Sequence, residues 1–250
     1  MNLAQQTALV TGGGSGIGLA LARALRERGS RVLICGRDEA RLAEAARLVP
    51  GLETVRCDLD VEGDVNALFE AVQTRLGGLS LLVNNAAVQY NYTFPNADPE
   101  ATIMHIDKEL AVNLNAPLRL TARLLPLLAK QPESAIVNLT SGLALAPKKS
   151  AAVYCASKAG LRTFTKALRY QLEDAKLGVR VVEVMLPLVD TPMTHGRGNP
   201  RLKLSPERVA RVVLAGLEAD RNEIRIGGTK AFGWLHRLAP GLAEQLLRNS

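Results

Sequence analysis

The 250-residue chain is poor in cysteine and in aromatic residues. Its three cysteines, Cys35, Cys57 and Cys155, are an odd number, and none sits in a CxxC spacing or a His-rich cluster. That excludes a disulfide framework and a metal site of the usual spacing, and it fits a reduced, cytoplasmic protein. Aromatics make up 4% of the residues, and the Lys and Arg behind the formal charge of +7 are spread along the chain without blocks. The pattern argues against a nucleic-acid partner; it leaves an anionic cofactor or substrate, or a plain solvated surface. No uninterrupted apolar run reaches the length of a membrane span. "MNLAQQTALVTGGG" lacks the basic and long apolar regions of a secretory signal. There is also no Gly/Ser linker, low-complexity tract or solenoid-period repeat. The chain reads as one domain over 1–250.

What is present is an alternation of short apolar runs with longer helical patterns. Strands are expected near 7–12, 31–36, 53–59, 79–86, 134–141, 179–186 and 222–228, and helices near 16–28, 38–48, 62–76, 100–129, 151–177 and 206–219. Several strands are apolar almost throughout, as when both faces of a parallel sheet are covered. The order predicts an α/β fold: a doubly wound, mostly parallel seven-stranded sheet with helices on both faces. Two polar segments, 89–100 and 187–206, break the rhythm and are expected at the ligand-binding end, the second as a substrate loop.

"TGGGSGIG" (11–18) stands between the first strand and the first helix. Gly12 permits a tight turn, Gly16 lets backbone approach a phosphate, and Gly18 permits close packing of helix on strand. The helix start then offers free N–H groups to a pyrophosphate. NAD-preferring sites place an acid at the end of the second strand; here the strand ends "ICGRDE", with Gly36 at that place and Arg37 after it. A guanidinium there, with Ser15 opposite, suits a 2′-phosphate, so NADP(H) is preferred with NAD(H) still open. The competing reading makes Arg37 a surface residue and Asp38 the cap of the next helix.

In "AAVYCASKAGL" (151–161), Tyr154 and Lys158 are four residues apart on a helix and share one face. Spacing alone leaves open a packed ring and a solvated amine. The order of motifs goes further. Thr11 to Gly18, "NNAA" at Asn84 to Ala87, Asn113 in "AVNLNAP", Ser141 in "NLTSG" and Tyr154-x3-Lys158 resemble, in sequence, the short-chain dehydrogenase/reductase family. Within it, "VQYNYTF", "YCASKAGLRTFTKALRYQL", "PLVDTPMTHGRG" and the short tail are similar to the DltE-type subgroup.

The resemblance implies an oxidoreductase moving a hydride between NADP(H) or NAD(H) and an alcohol or carbonyl substrate. Asn113, Ser141, Tyr154 and Lys158 would be catalytic. Tyr154 would exchange the proton, Lys158 would stabilise the phenolate and lower its pKa, and Ser141 would hold the substrate oxygen. Asn113 would interrupt regular helix bonding. Cofactor contacts would come from Gly12, Ser15, Gly16, Ile17, Gly18, Arg37, Asp58, Leu59, Asn85, Ala86, Tyr154, Lys158, Pro187, Val189 and Thr191. Leu188, where the family often has glycine, would narrow the pocket near the nicotinamide. Tyr90, Tyr92, Phe94, Leu143, Leu145, Met193 and His195 would line or cover an apolar-aromatic substrate pocket. The alternative is a dinucleotide-binding regulatory or interaction protein without turnover. The tail 230–250 has Trp234, Leu235, Leu238, Leu242, Leu246 and Leu247 at helical spacing, read as self-packing or a homodimer or homotetramer surface, with a membrane surface as the rival.

Overall fold

A computed structural model describes residues 1–249; Ser250, the last residue of the expected tail, lies outside them. Seven strands run β1 Thr7–Thr11, β2 Arg31–Gly36, β3 Glu53–Arg56, β4 Leu81–Asn84, β5 Ser134–Ser141, β6 Val179–Leu186 and β7 Glu223–Arg225. They form one sheet in the order β3-β2-β1-β4-β5-β6-β7. Every pairing is parallel. The helices are α1 Gly16–Glu27, α2 Glu39–Leu48, α3 Glu62–Ala71, α4 Pro99–Leu110, α5 Ala116–Leu128, α6 Ala152–Asp174, α7 Pro206–Glu218, α8 Thr229–Leu238 and α9 Pro240–Arg248.

The two-residue period of the strands divides the core between the faces of the sheet. Ala8 and Val10, with Val32 and Ile34, meet Leu21 and Leu25 of α1 and Val213 and Leu214 of α7 on one face. Leu9 and Leu33 meet Leu68 of α3, Leu124 of α5 and Leu168 of α6 on the other. Strand order reverses between β1 and β4, which opens a crevice at the carboxyl ends of the strands, where such sheets bind ligands.

Two helical expectations change. The helix expected over 100–129 is two helices joined by a π-helical turn at Ala111–Asn115, and the one over 62–76 ends in another at Val72–Leu76. The first of these turns contains Asn113, where the family resemblance implies an interruption of regular helix bonding. The substrate loop holds two short 3₁₀ turns, Pro192–Thr194 and Pro200–Leu202, and is closed across its base by a Val189–Leu204 bridge.

Candidate active site

The crevice at the β1/β4 reversal is bordered by twelve of the expected cofactor residues. Gly12, Ser15, Gly16, Ile17, Arg37, Asp58, Leu59, Asn85, Ala86, Tyr154, Lys158 and Thr191 all face it. Gly18, Pro187 and Val189 do not border it. A Cβ on Gly18 would stand 2.3 Å from the Gly12 carbonyl oxygen, so Gly18 serves the close contact of α1 with the turn. Val189 is 3% exposed and packs in the core. A Cβ on Gly227 would lie 3.8 Å from Pro187, on the β7 side.

The α1 N-terminus is open. Ser15 stands at its N-cap without accepting a hydrogen bond there, and Gly16 takes φ +53°. Such a turn leaves N–H groups free for an anion. Thr11 fixes the turn against the loop after β4: its hydroxyl accepts from Asn85 N and Ala86 N, both at 3.0 Å. Asn85 Nδ2 donates to the carbonyls of Thr11 (2.8 Å) and Gly12 (3.2 Å).

Asp38 accepts from Arg41 N at 3.0 Å and caps α2. Arg37 is exposed at the rim of the crevice. Asp58 is occupied: both its carboxylate oxygens lie 3.1 Å from Lys108 Nζ on α4, and Oδ1 accepts from Asp60 N. Burial pushes its carboxyl up, but the Asp60 N–H and Lys108 outweigh burial and leave it below its ordinary value. An adenine contact has to share that carboxylate with Lys108, which the sequence did not reveal.

Helix α6 is tied to the sheet by a buried chain. Asn84 Nδ2 donates to Asn138 Oδ1 (2.7 Å), Asn138 Nδ2 to Thr165 Oγ1 (2.9 Å), and Thr165 Oγ1 to the Leu161 carbonyl (2.6 Å). On this helix Tyr154 borders the crevice, and Lys158, 3% exposed, lies beneath it. Lys158 Nζ donates to the Leu139 carbonyl at 2.9 Å and sits 5.9 Å from the centroid of the Tyr154 ring. Burial pushes the phenol up to about 12, with Ser141 pulling it back through a hydrogen bond. Burial also pushes the Lys158 ammonium down to about 8. In the protein alone, burial outweighs every influence that lowers the phenol. Desolvation dominates both groups.

Asn113, fully buried in the π turn, clamps the loop after β4. Its Oδ1 accepts from Val88 N and its Nδ2 donates to the Val88 carbonyl, both at 2.8 Å, with Ser157 Oγ at 3.2 Å. Ser141 Oγ accepts from Leu143 N (3.1 Å) while pairing with the phenol.

The expected substrate wall is only partly assembled. Met193 faces the crevice. Leu188 instead meets the far loop, where a Cβ on Gly198 would come 2.4 Å from its Cδ2, so it does not narrow the crevice. Leu143 and Leu145 border a separate recess with Pro147 and Ala156. Phe94 and His195 are exposed. Glu109 and Arg197, which the sequence reading passed over, stand beside this wall. Glu109 lies four residues before Asn113, the spacing that places two side chains on one helix face.

The model of the short chain dehydrogenase family matches residues 6–201. The uncharacterized oxidoreductase DltE of Bacillus subtilis is 41% identical, covering 90% of this chain and 89% of its own length. An uncharacterized oxidoreductase of Staphylococcus epidermidis is 34% identical over 89% of this chain and 96% of its own. Among solved structures, a short chain dehydrogenase from Burkholderia cenocepacia in complex with NADP has a TM-score of 0.85 at 27% identity, covering all of both chains. The 3-ketoacyl-(acyl-carrier-protein) reductase of Brucella melitensis, complexed with NADH, has a TM-score of 0.78 at 28% identity, covering 89% of this chain and 97% of its own. With an all-parallel doubly wound sheet, a glycine turn opening α1, and Tyr154 and Lys158 at the β1/β4 crevice, the chain belongs to the short chain dehydrogenase family.

Proposed function

We propose that the protein is a nicotinamide-dependent oxidoreductase that interconverts a carbonyl group and an alcohol. The observation that carries this reading is the placement of Tyr154 at the crevice with Lys158 buried behind it, across from an uncapped glycine turn. When bound, NADP(H) or NAD(H) supplies or accepts the hydride. The residues fit that group. Free N–H groups at Ser15, Gly16 and Ile17 suit its pyrophosphate. Asp58, Leu59, Asn85 and Ala86 suit the adenosine end, and Thr191 and Lys158 the nicotinamide end. Arg37, with no acid at Gly36, favours NADP(H) over NAD(H).

Tyr154 holds the proton that passes to the carbonyl oxygen, and Ser141 Oγ orients that oxygen. Lys158 places a positive charge behind the phenol without neutralising it. Asn113 keeps Val88, and with it the near wall, in position. The regulatory reading without turnover has to explain an intact Tyr154/Lys158 pair, and no observation favours it. We also assign the exposed row Trp234, Leu238, Leu242 and Leu246 on α8 and α9 to contacts between copies of the chain; Leu238 is 79% exposed. No helix among the described residues is long and apolar enough to cross a membrane.

The test is a carbonyl-compound screen with NADPH, and NADH in parallel, followed at the nicotinamide absorbance. Reduction that requires Tyr154 supports the reading. Activity that persists in Tyr154→Phe contradicts it.

A further inference from the structure

The loop after β4 is bonded residue by residue to different walls of the site. Val88 is clamped by Asn113 on both sides of its peptide. The Gln89 carbonyl accepts from Arg197 Nη2 of the substrate loop at 3.2 Å. Tyr90 N donates to Glu109 Oε1 of α4 at 2.9 Å. Tyr92 N donates to the Ser150 carbonyl, just before α6, at 2.9 Å. The Tyr90 ring stacks on His105 with centroids 4.0 Å apart. A loop fastened this way is preorganised, and its side chains face fixed directions.

Three buried polar atoms at this loop have no hydrogen-bond partner among the described residues: Tyr92 Oη, Glu109 Oε2 and Arg197 Nη1. Buried polar groups are almost always paired, because each unpaired one costs free energy. Three together, on three separate elements, mark a place built to pair with something else. Neither Arg197 nor nearby Lys148 is in an ion pair among the described residues, and the two cations repel, Lys148 being lowered first by burial and then by Arg197. Both Glu109 and Arg197 are felt at the Tyr154 phenol, with opposite sign. Burial pushes the Glu109 carboxyl up toward its neutral form, against the Tyr90 N–H and Arg197. Arg197 Nη1 can only donate, Tyr92 Oη can donate as well, and Arg197 and Lys148 place two cationic side chains beside the loop.

We propose that Arg197 Nη1 and Tyr92 Oη bind a carboxylate on the substrate, so that the enzyme acts on oxo acids and the matching hydroxy acids. Glu109, fixed by Tyr90, is a positioning residue at the edge of that site. A guanidinium and a phenol on a fixed loop distinguish a carboxylate from an ester, because the ester carries no charge and leaves the Arg197 charge without a counter-ion. This rests on the carbonyl-reduction reading above.

The experiment uses the NADPH-loaded protein with 2-oxobutanoate, 3-oxobutanoate, 4-oxopentanoate and 5-oxohexanoate, each against its methyl ester. Turnover gives kcat/KM, and calorimetric titration gives binding independently of turnover. At least one acid is expected to exceed its ester more than tenfold in kcat/KM and in affinity. Arg197→Gln should reduce that ratio at least tenfold, chiefly through KM, and Arg197→Lys should restore part of it. Tyr92→Phe, which removes only the hydroxyl, should reduce it severalfold and guards against a folding defect in the Arg197 variants. Acids and esters within threefold in both readouts would overturn the proposal, as would an Arg197→Gln loss equal for both. If neutral ketones are reduced while no acid binds better than its ester, the carboxylate site falls and the reductase reading stands. If acids bind through Arg197 but no carbonyl compound is reduced, the carboxylate site stands and the reductase reading falls.

Discussion

Lys158 gives its hydrogen bond to the Leu139 carbonyl at 2.9 Å and holds its ammonium 5.9 Å from the centroid of the Tyr154 ring. A buried cation behind a buried phenol is electrostatically useful and energetically costly. The cost belongs to the protein without cofactor, and it can be measured.

Folding stability should therefore depend on pH through this pair. The Lys158 ammonium falls from 10.5 to about 8 on folding, so the unfolded chain binds more protons between those values. Its contribution to stability rises as pH climbs from about 8 to 10.5. The Tyr154 phenol moves the other way, from 10 to about 12, so its contribution falls above pH 10. Lys158→Met is expected to raise stability at pH 7 by about 1–3 kcal/mol, the scale of its pKa displacement after relaxation. Denaturant unfolding should show that gain shrinking by pH 10. A Lys158→Met protein less stable than the parent at pH 7 would contradict the desolvation of Lys158.

Asn113→Ala removes three hydrogen bonds from a fully buried site and leaves Val88 N and O unpaired. A loss of about 1–3 kcal/mol in unfolding free energy is expected from each stranded group, with partial relaxation. Because Val88 borders the crevice, kcat should fall along with stability. Full stability in Asn113→Ala would mean that the loop after β4 is held by other contacts.

Gly18 has no room for a side chain: a Cβ would stand 2.3 Å from the Gly12 carbonyl and 2.6 Å from Asn85 Nδ2. Gly18→Ala should separate the glycine turn from the loop after β4, destabilise the fold by about 1–3 kcal/mol and weaken dinucleotide binding. Fluorescence titration with NADPH checks the second part. Unchanged affinity would show that this contact does not shape the turn.

Cofactor preference tests Arg37. A charge-assisted contact with a 2′-phosphate is worth roughly 1.5–3 kcal/mol, on the order of tenfold to a hundredfold in affinity. NADPH should bind more tightly than NADH, less so at high salt, and Gly36→Asp with Arg37→Ala should reverse the order. Equal affinities in the unmodified protein would leave Arg37 as a solvated surface residue.

The sheet was legible because its strands are short apolar runs bounded by Gly, Asp and Pro, and because both of its faces are covered. "RVLICG" could be placed as β2 on that ground alone. The glycine turn and the Tyr154/Lys158 face were legible because each depends on local spacing. What spacing could not reveal was long-range pairing. Lys108 reaches Asp58 across fifty positions, and Leu139 receives Lys158 through a backbone carbonyl that any residue could provide. Leu188 misled for a similar reason: a loop residue takes the direction its partner allows, and Gly198 drew it away from the crevice. The π turn around Asn113 is what the family resemblance implied, an interruption of regular helix bonding that the apolar pattern by itself did not show.

The most direct measurement compares Tyr154 with Tyr154→Phe in the NADPH-dependent reduction of whichever carbonyl compound the screen identifies. The substitution removes one hydroxyl and keeps the ring that packs in the crevice. With Tyr154 as proton donor, kcat should fall by at least about a hundredfold, the lower end of general acid catalysis, while NADPH affinity stays within a few-fold. A Tyr154→Phe enzyme that keeps its kcat would contradict the assignment of this crevice as a reductase site.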